Sequence, residues 1–189
     1  MKSLAILACA SVIAMAAQPA KAHPHILTEY TIVATIKDGK FVGLRVTWTF
    51  DELYSELVRE TVDRNKNGKF DTDEIIDVAR KSIPTMKPKG FYTYLTVGGK
   101  TTQPNSIDDF DAKLEDGKVS YLFSIGLPDG VSEFTFSAYD IEYYIDFYPA
   151  KAAFRIEGGK GNCQIGKGTE IKTDGWGTLT PPTIACKAQ

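Results

Sequence analysis

From Ile26 to Ile36 apolar side chains fall on alternate positions, at Tyr30, Ile32, Ala34 and Ile36. Asp38-Gly39 interrupts, and the alternation resumes through Val42, Leu44, Val46, Trp48 and Phe50. A period of two puts one set of side chains on a single face of an extended strand, and an Asp-Gly pair takes the left-handed backbone of a two-residue turn at low cost. The stretch predicts a β-hairpin with one buried face. The same period returns at Phe91, Thr93, Leu95 and Val97 before Gly98-Gly99, and at Val119, Tyr121, Phe123, Ile125 and Leu127 after Asp116-Gly117. Further strands are expected at Phe134, Phe136 and Ala138 after Asp129-Gly130, around Tyr143–Tyr148, and around Ala152–Ile156. Short strands at even spacing, separated by turn dipeptides, predict a mainly β fold, an antiparallel β-sandwich. At 189 residues, 43% of them hydrophobic, the chain has material for one such core.

Two stretches break the period. Thr49-Phe-Asp-Glu52 resembles a capping box, and Leu53, Leu57 and Val58 follow with helical spacing. Ile75, Ile76, Ala79 and Ile83 predict a second helix from about Asp73, which Pro84 would stop. The pair forms an insert at about 50–84. Between the two helices, Asp63 to Glu74 has the spacing of a twelve-residue EF-hand calcium loop. Asp63, Asn65 and Asn67 stand at positions 1, 3 and 5, Gly68 at the sharp turn, Lys69 at 7 to offer its carbonyl, Asp71 at 9 and Glu74 at 12 as a bidentate ligand. Phe70 at position 8 is apolar, as an anchor should be. The competing reading is a turn rich in Asn, Asp and Gly that binds nothing. Among the ligating groups only the carboxylates of Asp63, Asp71 and Glu74 are charged and no second loop pairs with this one, so the expected affinity for Ca2+ is weak, roughly 10⁻⁴ to 10⁻³ M. That suits a structural ion.

Residues 1–22 read as a secretory signal: Met-Lys-Ser, an apolar run from Leu4 to Ala17, and an Ala20-Lys21-Ala22 cleavage site. The product, 23–189, is expected in the periplasm as a single domain that does not span the membrane. Cleavage removes two of the 22 basic residues against 24 acidic ones, and the resulting excess of negative charge argues against nucleic acid as a partner. It also removes Cys9 and leaves Cys163 and Cys186 as a pair in an exported chain, so a disulfide closing the segment 158–189 is expected. Gly161 to Gly168 looks like a phosphate-binding loop, but Gly168 stands where a Ser or Thr hydroxyl is needed. A glycine-rich loop beside the disulfide is the expectation.

The two histidines of the chain, His23 and His25, lie at the start of the processed protein. As first residue, His23 offers an α-amino nitrogen and an imidazole, with His25 adding a third nitrogen. Pro24 lacks the amide proton that a square-planar amino-terminal site would have to lose. The donors suit zinc, nickel or copper; two solvated histidines at a processing junction are the plain alternative. No catalytic triad can be assembled, because both candidate bases sit at the tip.

His23-Pro24-His25, then Trp48-Thr49-Phe50-Asp51-Glu52 with Tyr54-Ser55, the acidic loop, and Tyr139-Asp140 with Tyr143-Tyr144 resemble, in this order, an exported bacterial family, the domain of unknown function DUF1007. The resemblance runs to about Tyr148, and the tail from Gly158 lies outside it. It implies a periplasmic component associated with transition-metal transport, with zinc or nickel as cargo and an inner-membrane metal permease as partner, and it implies no enzyme. The expected function is a calcium-stabilised, metal-binding accessory protein. The alternatives are a calcium-stabilised interaction module without a transition metal, and a copper histidine-brace enzyme built on His23.

Overall fold

The computed structural model describes residues 25–189. The expected hairpin forms from β1 (Ile26–Lys37) and β2 (Lys40–Phe50), with Asp38 and Gly39 at φ of 51° and 71° in the turn. Two helices follow, α1 (Glu52–Val62) and α2 (Thr72–Met86), then a 3₁₀ segment at Lys87–Tyr92. The remaining strands are β3 (Thr93–Val97), β4 (Lys100–Thr102), β5 (Asp108–Glu115), β6 (Lys118–Val131), β7 (Glu133–Ala138), β8 (Ile145–Glu157), β9 (Gly161–Lys167), β10 (Ile171–Lys172), β11 (Thr178–Leu179) and β12 (Pro182–Ala188).

The protein is mainly β. One five-stranded sheet has the order β5-β6-β2-β1-β8, a second the order β4-β3-β7-β12-β9, and β10 and β11 form a small ribbon. Side chains from the two large sheets meet: Tyr30 of β1 lies against Phe136 of β7 with ring centroids 5.5 Å apart, and Phe41 of β2 meets Phe134 edge-on at 4.9 Å. Trp48 is 1% exposed, between Phe123 and Phe147. Tilted and edge-on rings satisfy the aromatic quadrupole and add about 0.5–1.5 kcal/mol per pair to the area they bury.

Several local expectations change. The ladders are antiparallel except at one seam, where β8 runs parallel to β1 because the chain arrives there from β7 in the other sheet. Val42 is exposed and Phe41 takes its place inside, since register shifts near the turn reverse the alternation there. The cap of α1 is Asp51, whose Oδ1 accepts the Tyr54 N–H at 2.9 Å, and Thr49 belongs to β2, its hydroxyl on Ser120. Pro84 does not stop α2, which continues to Met86; a proline this near a helix end removes one of its last hydrogen bonds, and the helix ends within a turn. Asp129-Gly130 bends β6 with Gly130 at φ 79° and does not end it. The two strands expected between Tyr143 and Ile156 are the single β8, whose register slips opposite Tyr30 and Ile32, beside Pro149. Gly161 to Lys167 is strand β9 and not a loop, held in register by β12.

Candidate metal centre

α1 buries Ser55, Val58 and Val62, and α2 buries Glu74, Val78 and Met86. With one face of each helix committed to the core, the segment between them has to reverse direction over a few residues. Lys66 and Gly68 do this at φ of 57° and 76°, and Phe70, 9% exposed, pins the loop to the core as expected. The carboxylates fill the interior of the turn. Asp63, 5% exposed, accepts the N–H groups of Asn67 and Gly68 at 3.1 and 3.0 Å. Glu74, 3% exposed, accepts those of Arg64 and Asp71 at 2.8 and 3.0 Å, so it reaches back across the loop and also closes the capping box of α2. Asn65 donates to Asp71 at 2.7 Å, Asn67 to the same carboxylate at 3.3 Å, and the Lys69 N–H donates to Asn67 Oδ1.

The predicted ligands are therefore joined in one hydrogen-bonded loop, with the carboxylates of Asp63 and Glu74 occupied by backbone N–H groups and that of Asp71 by the Asn65 and Asn67 amides. Among the described residues, no group of three or more His, Cys, Asp and Glu side chains is gathered as a metal would need.

His23 lies outside the described residues, as does the segment read as a signal. His25 is described and exposed. Its backbone N–H and that of Ile26 both donate to Tyr144 O, at 2.9 and 3.2 Å, and its ring lies 4.7 Å from that of Tyr144. Two carboxylates fix the surroundings. Asp51 Oδ2 accepts the Leu27 N–H at 2.6 Å, while the Asp51 N–H returns to Leu27 O at 2.9 Å. Asp140, 2% exposed, gathers the N–H groups of Glu142, Tyr144 and Ile145 at 3.0, 3.0 and 3.2 Å, and so shapes the turn that presents Tyr144. Ser55 Oγ, fully buried, accepts the Val119 N–H at 2.9 Å and ties α1 to β6 behind the site. Three motifs far apart in sequence, around His25, Asp51 and Asp140, thus meet at one corner of the fold. Sequence reasoning assigned no role to Asp51, Asp140 or Tyr144, because pattern alone does not show which motifs the sheet brings together.

Phenols line the same corner. Burial pushes the Tyr54 phenol well above its usual range, with neighbouring Tyr121, Tyr92 and Tyr144 adding to the effect. Burial likewise raises Tyr92 to about 12, assisted by the charges of Asp140 and Glu142. Tyr92 ends a left-handed run with Gly90 and Phe91, at φ of 48°, 56° and 51°. L-residues pay about 1–2 kcal/mol each for that backbone. Phe91 offsets it by full burial, and Tyr92 by packing on Phe147 and Trp48. Elsewhere, Cys163 and Cys186 are disulfide-bonded across the β9–β12 pair, with Cα atoms 4.1 Å apart.

Comparison with known proteins gives one curated relative, described as an uncharacterized 15.5 kDa protein in the trpE 3' region of Spirochaeta aurantia. It is 29% identical over 110 residues, covering 54% of this chain and 79% of the relative. A family model matches residues 8–169, beyond the Tyr148 limit of the sequence resemblance and past Cys163 but short of Cys186. The chain accordingly belongs to the family described as Protein of unknown function (DUF1007).

Proposed function

We propose that this chain is an exported, calcium-stabilised accessory protein of the periplasm, a β-sandwich with an EF-hand-like insert, that binds a transition metal such as zinc or nickel at His23 and His25 and acts with an inner-membrane metal permease. The observation that supports it best is the anchoring of residues 25–27. Chain termini are usually loose, yet Tyr144 O and Asp51 hold the backbone on both sides of Ile26. A histidine on a fixed backbone is oriented before any metal arrives, which lowers the ordering cost of ligation.

For calcium, the loop residues fit the ion's preference for oxygen. Asp63, Asn65, Asn67, Asp71 and Glu74 would hold it with the Lys69 carbonyl, and the ion would neutralise three carboxylates and join the end of α1 to the start of α2. The carboxylates exchange their N–H partners for the ion. A second reading, an interaction module without a transition metal, is favoured by Leu53 and Leu57, which are 77% and 58% exposed on the solvent side of α1.

The experiment compares protein beginning at His23 with protein carrying one extra residue before it. The extension keeps both imidazoles and moves the α-amino group off His23, so titration calorimetry with zinc, nickel and copper should show most of the affinity lost. His25→Ala should lose less, and neither change should alter calcium binding. Equal affinities for native and extended termini would remove the amino-terminal site and favour the interaction module.

A further inference from the structure

Tyr94 and Tyr139 make an aromatic contact of a different kind from those of the core. Their ring centroids are 3.6 Å apart and their planes 4° from parallel, whereas the ring pairs of the core are inclined by 37° to 87°. Parallel rings prefer a lateral offset, because the negative faces of two quadrupoles repel. A centroid distance of 3.6 Å leaves little room for one. The scaffold accounts for the arrangement. Tyr94 lies on β3 opposite Ser137 of β7, and Tyr139 follows β7 with its N–H on Tyr92 O at 3.1 Å. The two are diagonal neighbours on adjacent strands, a spacing that aromatic side chains span, and the ladder holds both backbones in place.

Rings that face each other so directly bring reactive carbons together. In a phenoxyl radical the two Cε atoms beside the oxygen carry much of the unpaired spin. Whatever the rotation of one ring over the other, the nearest Cε atoms of the two tyrosines lie within about 4 Å, the contact distance of non-bonded carbons. Both side chains are half-buried, and both line an open hollow of about 650 Å³ on the outer face of the second sheet, so small oxidants and water reach the ring edges. Burial lifts both phenols above their ordinary range, and each therefore reacts as the neutral phenol.

We propose that Tyr94 and Tyr139 are a modification site, joined as dityrosine when the protein meets a one-electron oxidant such as the oxidised haem of a peroxidase or a photo-oxidised metal complex. Each phenol gives one electron to the oxidant and its hydroxyl proton to water, which leaves two phenoxyl radicals. A Cε of one ring then bonds to a Cε of the other. Each bonded carbon releases its hydrogen as a proton and each oxygen regains one, so both phenols are restored. Two electrons and two protons are lost, two equivalents of oxidant are each reduced by one electron, and one carbon–carbon bond is gained. The bond ties β3, just after the left-handed run at Gly90, Phe91 and Tyr92, to the residue that precedes Asp140 and its turn. Two segments that frame the His25 corner would be stapled together.

The test exposes the purified protein to visible light with tris(bipyridine)ruthenium(II) and persulfate. Groups held in contact have an effective concentration of about 1 mM or more, so at about 1 μM protein, coupling within a chain should outrun coupling between chains by about a thousandfold. The monomer should acquire the blue fluorescence of dityrosine and lose the mass of two hydrogen atoms, with Tyr94 and Tyr139 in one cross-linked peptide after digestion. Tyr94→Phe and Tyr139→Phe keep the ring and its packing, and each should remove the fluorescence of the monomer. Tyr148→Phe, at an exposed tyrosine, should leave it unchanged. A monomer that stays dark, a cross-link mapped to other tyrosines, or a monomer signal that survives Tyr139→Phe overturns the site.

Discussion

Asp140→Asn separates a carboxylate that shapes the candidate site from one that merely lies near it. Asp140 is 2% exposed, with the Glu142 N–H on Oδ1 and those of Tyr144 and Ile145 on Oδ2. Asparagine keeps a single acceptor oxygen. Turned toward Tyr144 and Ile145, it faces the Glu142 N–H with its own amide; turned the other way, it abandons two donors. The smaller loss is one charge-assisted bond, about 1.5–3 kcal/mol, plus the apposition of two buried donors, about 1 kcal/mol more. The unfolding free energy should fall by about 2–4 kcal/mol, a large share of a typical total of about 5–15 kcal/mol. Urea titration reads that number. Because the same turn presents Tyr144 O to the His25 and Ile26 N–H groups, amide exchange at Ile26 should accelerate by more than it does in β6. Glu142→Gln, which breaks only the exposed pair with Lys89, should stay within about 0.5 kcal/mol. A loss below about 0.5 kcal/mol for Asp140→Asn, or a larger loss without faster exchange at Ile26, would refute the assigned role.

Calcium at a hundredfold excess over its dissociation constant should add about 2.7 kcal/mol to stability, seen as a higher melting temperature that Glu74→Gln abolishes; equal melting in calcium and in chelator would rule the loop out. Reducing the Cys163–Cys186 bond, with 23 residues of separation, should cost about 3 kcal/mol in the chain-entropy account, and unchanged denaturation on reduction would contradict it. Burial raises the phenols of Tyr30, Tyr54 and Tyr139 above their ordinary value of 10.0. A phenol whose pKa rises on folding favours the folded state fully below the unfolded value and loses that contribution as pH climbs through the folded one, so stability should be level to about pH 9 and decline above about 10. Phenolate absorbance should then appear together with unfolding; full titration of these tyrosines in a folded protein would contradict their burial.

The β1–β2 hairpin, β3, β6, β7 and the two helices were legible because each announces itself locally: a period of two or 3.6, a turn dipeptide, a cap. β12 was not. Pro-Thr-Ile-Ala-Cys-Lys-Ala has only a brief alternation, and it is a strand because β7 and β9 supply partners on both sides. β8 was cut in two by Pro149, which a strand tolerates where its register slips. The tight turn between the two helices was readable from the loop's Asn, Asp and Gly spacing, and the cysteine pairing from its arithmetic. The clamps around His25 were not, since the sequence placed the helix cap at Thr49 and gave Asp140 no local signal, and only the parallel seam brings Tyr144 beside the start of β1.

Each large sheet is sealed by a strand from the opposite end of the chain. β1 lies between β2 and β8, with Ile26 opposite Ile145, and β12 lies between β7 and β9, with Cys186 opposite both Phe134 and Cys163. A nascent chain can zip β1, β2 and β6 early, yet one flank of β1 stays bare until residue 157 exists, and β9 has no ladder partner until the final seven-residue strand arrives. Pairing this distant places folding in the slow, millisecond-to-second regime of non-local β topologies. Loss of the stretch from Pro182 onward would detach β9 and remove the disulfide in a single step.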